Sequence, residues 1–343
     1  MQRFKTCLPL VLLAVAACGG ESGDSNPLPA CPSGNCGKEQ YRRAVPRKDG
    51  VRIPSPRNTN ARAKPLDAQS DALLVIDDHV MEIDEVLDAV FSDIEGAAGT
   101  TPEIESDTEH QWRNASLDLA GQEDVLRITS ADGNQFDIEF LIGDVGFDVA
   151  TATPVVSGTM VVDEDDGTFA LAIDLDALAD VSGEDMAGEI VIAEMPFEAG
   201  DREVWYDYHA VDFGDGDVQD SRTTYWEFEE SSHALEFVAD WQDEVATVYA
   251  RWDDEGGRYD HHTAFVDAEL GQVDAIATNC WSDGGAEVFD AWAIIDEDAF
   301  YGELDGSEDA CEFGPVEDHP NPGAEFDDLP ADGEWDLLDL LPF

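Results

Sequence analysis

His233-Ala234-Leu235-Glu236-Phe237-Val238-Ala239-Asp240-Trp241 and Glu244-Val245-Ala246-Thr247-Val248-Tyr249-Ala250-Arg251-Trp252 decide the fold. Both runs are rich in aromatic and β-branched residues, which suit a pleated strand, and only Gln242-Asp243 lies between them. So short a polar connection joins antiparallel strands, because parallel neighbours need a long crossover. The arrangement repeats outward in Glu203 to Phe213, Thr223 to Glu229, Arg258 to Asp267, Val273 to Trp281 and Glu287 to Ile295. Shorter runs of period two precede them: Trp112, Leu117 and Leu119; Val125 and Ile128; Phe136, Ile138 and Phe140; Val161, Phe169, Leu171, Ile173 and Leu175. Turn signals such as Ala131-Asp132-Gly133-Asn134 and Asp165-Asp166-Gly167 separate these runs. Before them, Leu73, Leu74, Ile76, Val80, Ile83, Leu87, Val90, Phe91 and Ile94 follow a three-and-four spacing that predicts an amphipathic helix from Ser70 to Glu95. Ser70 or Asp71 is its N-cap and Gly96 its stop. The expected fold is mainly β: a curved antiparallel sheet or barrel-like meander of about a dozen strands with one N-terminal amphipathic helix. Residues 66–313 read as a single acidic β-rich domain.

The 343 residues include 79 Asp and Glu against 17 Lys and Arg. The imbalance is uneven, with 75 acidic and 6 basic residues in 65–343 and no lysine after Lys64. A surface of this kind lacks the basic footprint that a phosphate backbone requires, so nucleic acid is excluded as a partner of the domain. A hydrophobic fraction of 43% with 8 Trp and 16 Phe is ample for a core, so the acidity belongs to the surface of a folded domain.

At the N-terminus, Arg3 and Lys5 precede an apolar run from Leu8 to Ala17 that is too short to span a bilayer as a mature helix. Residues 1–17 therefore read as a signal peptide. Val15-Ala16-Ala17-Cys18 resembles the lipobox of bacterial lipoproteins. The resemblance covers only this segment. It implies removal of the residues before Cys18, diacylation of Cys18 by palmitate-type chains and a third chain on its new amino group, enough for stable membrane anchoring. Gly19 follows in place of the aspartate of inner-membrane retention, so the expected location is extracytoplasmic, at an outer membrane or cell surface. Residues 18–65 read as a lipidated, flexible basic tether. Its cations, Arg42, Arg43, Arg47, Lys48, Arg52, Arg57, Arg62 and Lys64, suit anionic headgroups or cell-wall polymer, but Coulomb attraction draws them first to the acidic domain beside them. Residues 314–343 read as an acidic disordered tail that ends in the apolar cluster Trp335 to Phe343. That cluster suits docking to a partner groove or to the domain itself.

After processing, Cys31, Cys36, Cys280 and Cys311 remain, and proximity pairs Cys31 with Cys36 and Cys280 with Cys311 as disulfides. Thr278-Asn279-Cys280-Trp281, Phe289, Tyr301 and Cys311-Glu312-Phe313 resemble the C-terminal signature of uncharacterised exported lipoproteins, which supports the second bridge and implies no activity. No nucleophile elbow, zinc-protease helix or phosphate-binding glycine loop is present in the sequence. Asp260-His261-His262, with His209 and His233, is the most suggestive histidine grouping, although adjacent strand residues face opposite sides. Asp212-Phe213-Gly214-Asp215-Gly216-Asp217-Val218-Gln219-Asp220 offers a calcium ion four carboxylates, Asp212, Asp215, Asp217 and Asp220, without EF-hand spacing. The competing account is a hairpin turn built from the commonest residue to hand. The aromatic strands, with Trp205, Tyr206, Tyr208, Tyr225, Trp226, Phe228, Trp241, Tyr249, Trp252 and Tyr259, fill a core with half of their rings or present a binding face with the other half. The functional expectation is a non-enzymatic lipoprotein that binds a ligand or a protein partner. A lipid or lipoprotein carrier and a hydrolase with dispersed carboxylates are the alternatives.

Overall fold

The structure is a computed structural model that describes residues 38–65, 68–115, 121–130, 135–162, 167–196, 202–214, 216, 218–228, 232–240, 244–267, 271–295 and 300–314. Cys18, Cys31, Cys36 and the tail from residue 315 lie outside the described residues. The chain is mainly β. The first strands are β1 (Ile104–Glu105), β2 (Glu109–Ala115), β3 (Gln122–Thr129), β4 (Gln135–Asp144), β5 (Val156–Val162), β6 (Gly167–Asp174) and β7 (Ala187–Pro196). There follow β8 (Arg202–Asp212), β9 (Gln219–Glu227), β10 (His233–Asp240), β11 (Glu244–Trp252), β12 (Gly256–Asp267), β13 (Gly271–Ser282), β14 (Glu287–Ile295) and β15 (Phe300–Gly306). They hydrogen-bond in chain order, as a 15-stranded sheet. Helices are α1 (Lys38–Arg43), α2 (Thr59–Arg62), α3 (Asp71–Ala98) and α4 (Leu175–Ser182). Two compact units share this chain, the first from Met1–Pro46, Asp93–Glu189 and Val211–Asp217, the second from Arg47–Ser92, Ile190–Ala210 and Val218–Phe343.

In the first unit the antiparallel register places Trp112, Leu126, Phe140, Val156 and Ile173 in one row across β2 to β6. All five side chains are buried, each worth roughly 1.5–3 kcal/mol of transfer free energy. Tyr41 stacks on His110 with ring centroids 4.1 Å apart, meets Phe136 edge-on and donates its hydroxyl hydrogen to the Asp107 carbonyl at 2.9 Å. Cross-strand arginines hold the polar side: Arg113 bridges Glu103 and Glu123, and Arg127 bridges Glu109 and Glu139. After β6 the alternation of Phe169, Leu171 and Ile173 does not continue into Leu175. Asp174 accepts from the Ala177 amide at 2.8 Å and starts α4, which stops at Gly183 with φ of 77°.

In the second unit α3 forms where the apolar stripe predicts it. Ser70 is the N-cap, its Oγ accepting from the Leu73 amide, and Leu73, Ile76, Val80, Ile83, Leu87 and Phe91 are buried. Strands β9 to β15 pair antiparallel throughout. Gly257 stands opposite Trp281, where a Cβ would lie 2.1 Å from the indole, so only glycine lets that ring lie against β12.

The flexible tether expected over 18–65 is corrected over its C-terminal part. Tyr41, Ala44 and Val45 are buried in the first unit; Val51, Ile53 and Ala61 are buried in the second. These side chains are spaced irregularly, and contacts distant in sequence order the segment.

Candidate functional site

Opposed residues of antiparallel strands share a face, so the register separates the two sides of the second unit's sheet. One side carries Thr223, Tyr225, Leu235, Phe237, Ala250, Tyr259 and Asn279. There α3 packs. His79 Nε2 lies 2.9 Å from Thr223 Oγ1, its ring lies 4.4 Å from Phe237, and Ser70 Oγ donates to Asn279 Oδ1 at 2.6 Å.

The other side carries the row Thr224, Glu236, Tyr249, Asp260 and Thr278. Its charges are buried and paired. Arg258 donates to both Asp260 oxygens at 2.8 and 3.0 Å and to Glu308 Oε1 at 2.7 Å, while Thr278 Oγ1 donates to Asp260 at 2.6 Å. Trp226 Nε1 donates to Glu203 Oε2 at 2.9 Å, Trp205 Nε1 donates to its other oxygen, and Arg222 forks onto Asp207. Burial pushes the Asp260 carboxyl up despite the Arg258 guanidinium beside it. The Asp260, Glu203 and Asp207 carboxylates each accept from donors within the sheet, which gives the network the character of a framework.

The sequence-predicted residues do not converge on one centre. His262 reaches Asp274 Oδ1 at 3.0 Å from the charged side, whereas His261 faces away from it and meets Thr263 Oγ1 at 2.6 Å. Burial pulls the His261 imidazole down to about 4 and lowers His262 against the opposing pull of Asp274. His209 is exposed, and His233 lies four positions along β10 from the residue aligned with His261, about 13 Å at strand rise. In the calcium candidate, Asp212 Oδ1 accepts from the Gly214 and Gly216 amides at 2.8 and 3.1 Å, and Asp220 Oδ1 accepts from the Ala210 amide at 2.8 Å. Each thus spends one oxygen on a turn; Asp215 and Asp217 lie outside the described residues. Of the aromatics, Tyr206, Tyr225, Trp226, Trp252 and Tyr259 are buried, Tyr225 and Trp226 on opposite sides, so core packing uses both faces. Cys280 and Cys311 are bonded, with Cα atoms 5.5 Å apart, as the spacing predicts.

The site that emerges is a strap. Residues 48–57 run along α3 and β8, tied to both. From α3, Asp84 and Asp88 pair with Lys48, Asp84 also pairs with Arg52, and Asp77 holds Arg57 at 3.0 Å together with the Ser55 hydroxyl. Asp77, Asp84 and Asp88 are seven and four residues apart, one stripe of the helix. From β8, Arg202 Nη1 donates to the Gly50 carbonyl at 3.0 Å, Nη2 donates to the Arg52 carbonyl at 3.2 Å, and the Tyr206 hydroxyl donates to the Val51 carbonyl. Arg202 also pairs with Glu227 at 2.8 Å and lies over the Tyr225 ring, whose hydroxyl meets His233 Nδ1 at 2.8 Å. His233 in turn sits 5.5 Å from the Trp252 ring, and burial lowers its pKa. The signal for this site is Val51-Arg52-Ile53, which alternates apolar and basic residues, matched to the aspartate stripe of α3.

No protein-family model, curated protein or solved structure matches the chain.

Proposed function

We propose that the chain is an exported protein, anchored to a membrane by lipid on Cys18, whose extracytoplasmic domain binds a ligand or protein partner without transforming it. The observation that carries the reading is the Cys280–Cys311 bridge, which lies in a buried cluster with Ile276, Phe289, Ala291 and Ala293. Disulfides persist in oxidising compartments, and the signal-like leader and Val15-Ala16-Ala17-Cys18 supply the route there. Binding is favoured over turnover because the buried carboxylates Asp260, Glu203 and Asp207 each accept from Arg or Trp donors within the sheet. A reacting acid or base needs an oxygen free for substrate. Cys18→Ala is the test. The wild type fractionates with membranes without detergent and the variant turns soluble; a variant that stays with the membranes refutes the lipid anchor.

A further inference from the structure

We propose that the groove between α3 and β8 is a docking site for a basic, extended peptide segment of a partner, held in cis in this structure by the strap 48–57. The inference deepens the binding reading above and rests on it.

The chemistry of the groove is peptide-specific. Arg202 and Tyr206 contact three successive backbone carbonyls of the strap, Gly50, Val51 and Arg52, and take hold of main chain that every peptide carries. Side-chain selection comes from two further features. Val51 and Ile53, two residues apart, are buried as apolar anchors, and the Asp77, Asp84 and Asp88 stripe takes the flanking cations Lys48, Arg52 and Arg57. Main-chain capture with alternate side chains in pockets is the logic of extended-peptide recognition.

The strap leaves capacity unspent. Trp252 Nε1 and Arg202 Nε have no hydrogen-bond partner among the described residues, although Trp252 is only 2% exposed. Both side chains lie against the Tyr225 ring, the guanidinium 5.5 Å and the indole 6.3 Å from its centroid. Two buried N–H groups without acceptors are costly, and a peptide bringing carbonyl or side-chain oxygens to them gains what the strap does not make. Of the ion pairs holding the strap, Arg52–Asp84 is exposed, with Arg52 at 57%, and such a pair is weak and screened by salt, whereas Arg57–Asp77 is largely buried. The buried anchors and carbonyl bonds seat the strap, and its covalent connection adds an effective concentration near the millimolar range that a separate peptide must overcome.

The test uses full-length protein in detergent and a fluorescein-labelled synthetic peptide with the sequence of residues 44–58, followed by fluorescence anisotropy. The wild type binds it weakly. The Lys48→Glu/Arg52→Glu protein, whose own strap competes poorly, binds it about tenfold more tightly. A peptide carrying Lys48→Glu, Arg52→Glu and Arg57→Glu binds neither. Because the double variant can fail to fold, a second measurement uses wild type alone: excess unlabelled peptide speeds amide hydrogen exchange in strap fragments that extend beyond residue 58, followed by mass spectrometry, as the strap is displaced. Unchanged exchange, or equal binding of the charge-reversed peptide, overturns the proposal. Neither outcome touches the anchor, which Cys18→Ala fractionation decides separately.

Discussion

His79 shows how one half-buried side chain sets a pH limit. Its ring lies against Thr223 and Phe237 of the sheet, and desolvation lowers its pKa from 6.5 to about 4. The unfolded chain takes up this proton below about pH 6.5 and the folded chain only near 4, so the stability from a neutral His79 is lost as pH falls through that window. At 1.36 kcal/mol per unit the loss at about pH 4.5 is roughly 2–3 kcal/mol. His79→Gln keeps a partner for Thr223 and removes the titration. Between neutral pH and 4.5 the wild type should therefore lose roughly 2–3 kcal/mol more than the variant in urea unfolding, and parallel losses contradict the assignment. Arg258 makes a similar case for charge. Arg258→Met strands the Asp260 carboxylate, which should cost about 3–5 kcal/mol, and Arg258→Met/Asp260→Leu should recover most of it. Two variants of equal stability would mean that the pair is not coupled.

Among the elements, strands and the long helix were the legible part. Glu244–Trp252 and Glu287–Ile295 keep the bounds their patterns predict, and α3 runs three residues past the predicted end at Glu95, through the expected stop at Gly96, to Ala98. Each of these is set by periodicity within its own segment. The strap and the charged row are set by partners far away in sequence. The alternation at Val51-Arg52-Ile53 is too short to announce an element, and Asp260 is one carboxylate among many until the register puts it beside Arg258 and Thr278. α4 was legible but concealed, because Leu175 continues the strand alternation while the cap at Asp174 and the stop at Gly183 mark a helix. The Cys280–Cys311 bridge, separated by 31 residues, ties β13 to the segment after β15. Closing a loop of that length should stabilise by roughly 3–4 kcal/mol, so Cys280→Ala/Cys311→Ala should lower the guanidinium midpoint by a matching amount. An unchanged midpoint would mean that the bridge is absent from the folded protein.

At the scale of the whole molecule, charge dominates. Residues 65–343 carry 69 more acidic than basic side chains, and Arg113, Arg127, Arg202, Arg222 and Arg258 are already committed to ion pairs. Repulsion among the remaining carboxylates is screened over roughly 10 Å at 0.1 M salt and 3 Å at 1 M, so sodium chloride should raise the thermal midpoint over that range. A midpoint that stays flat would leave the acidic surface a role in solubility alone. Calcium at the 212–220 loop would add a rise at low millimolar concentration that Asp215→Asn removes. The central claim remains that this acidic domain works outside the cytoplasm on a lipid anchor. Intact mass spectrometry of the detergent-extracted protein tests it most directly: the account predicts a chain that begins at Cys18 and carries acyl chains there, and a chain that retains residues 1–17, or begins at Cys18 without lipid, contradicts it.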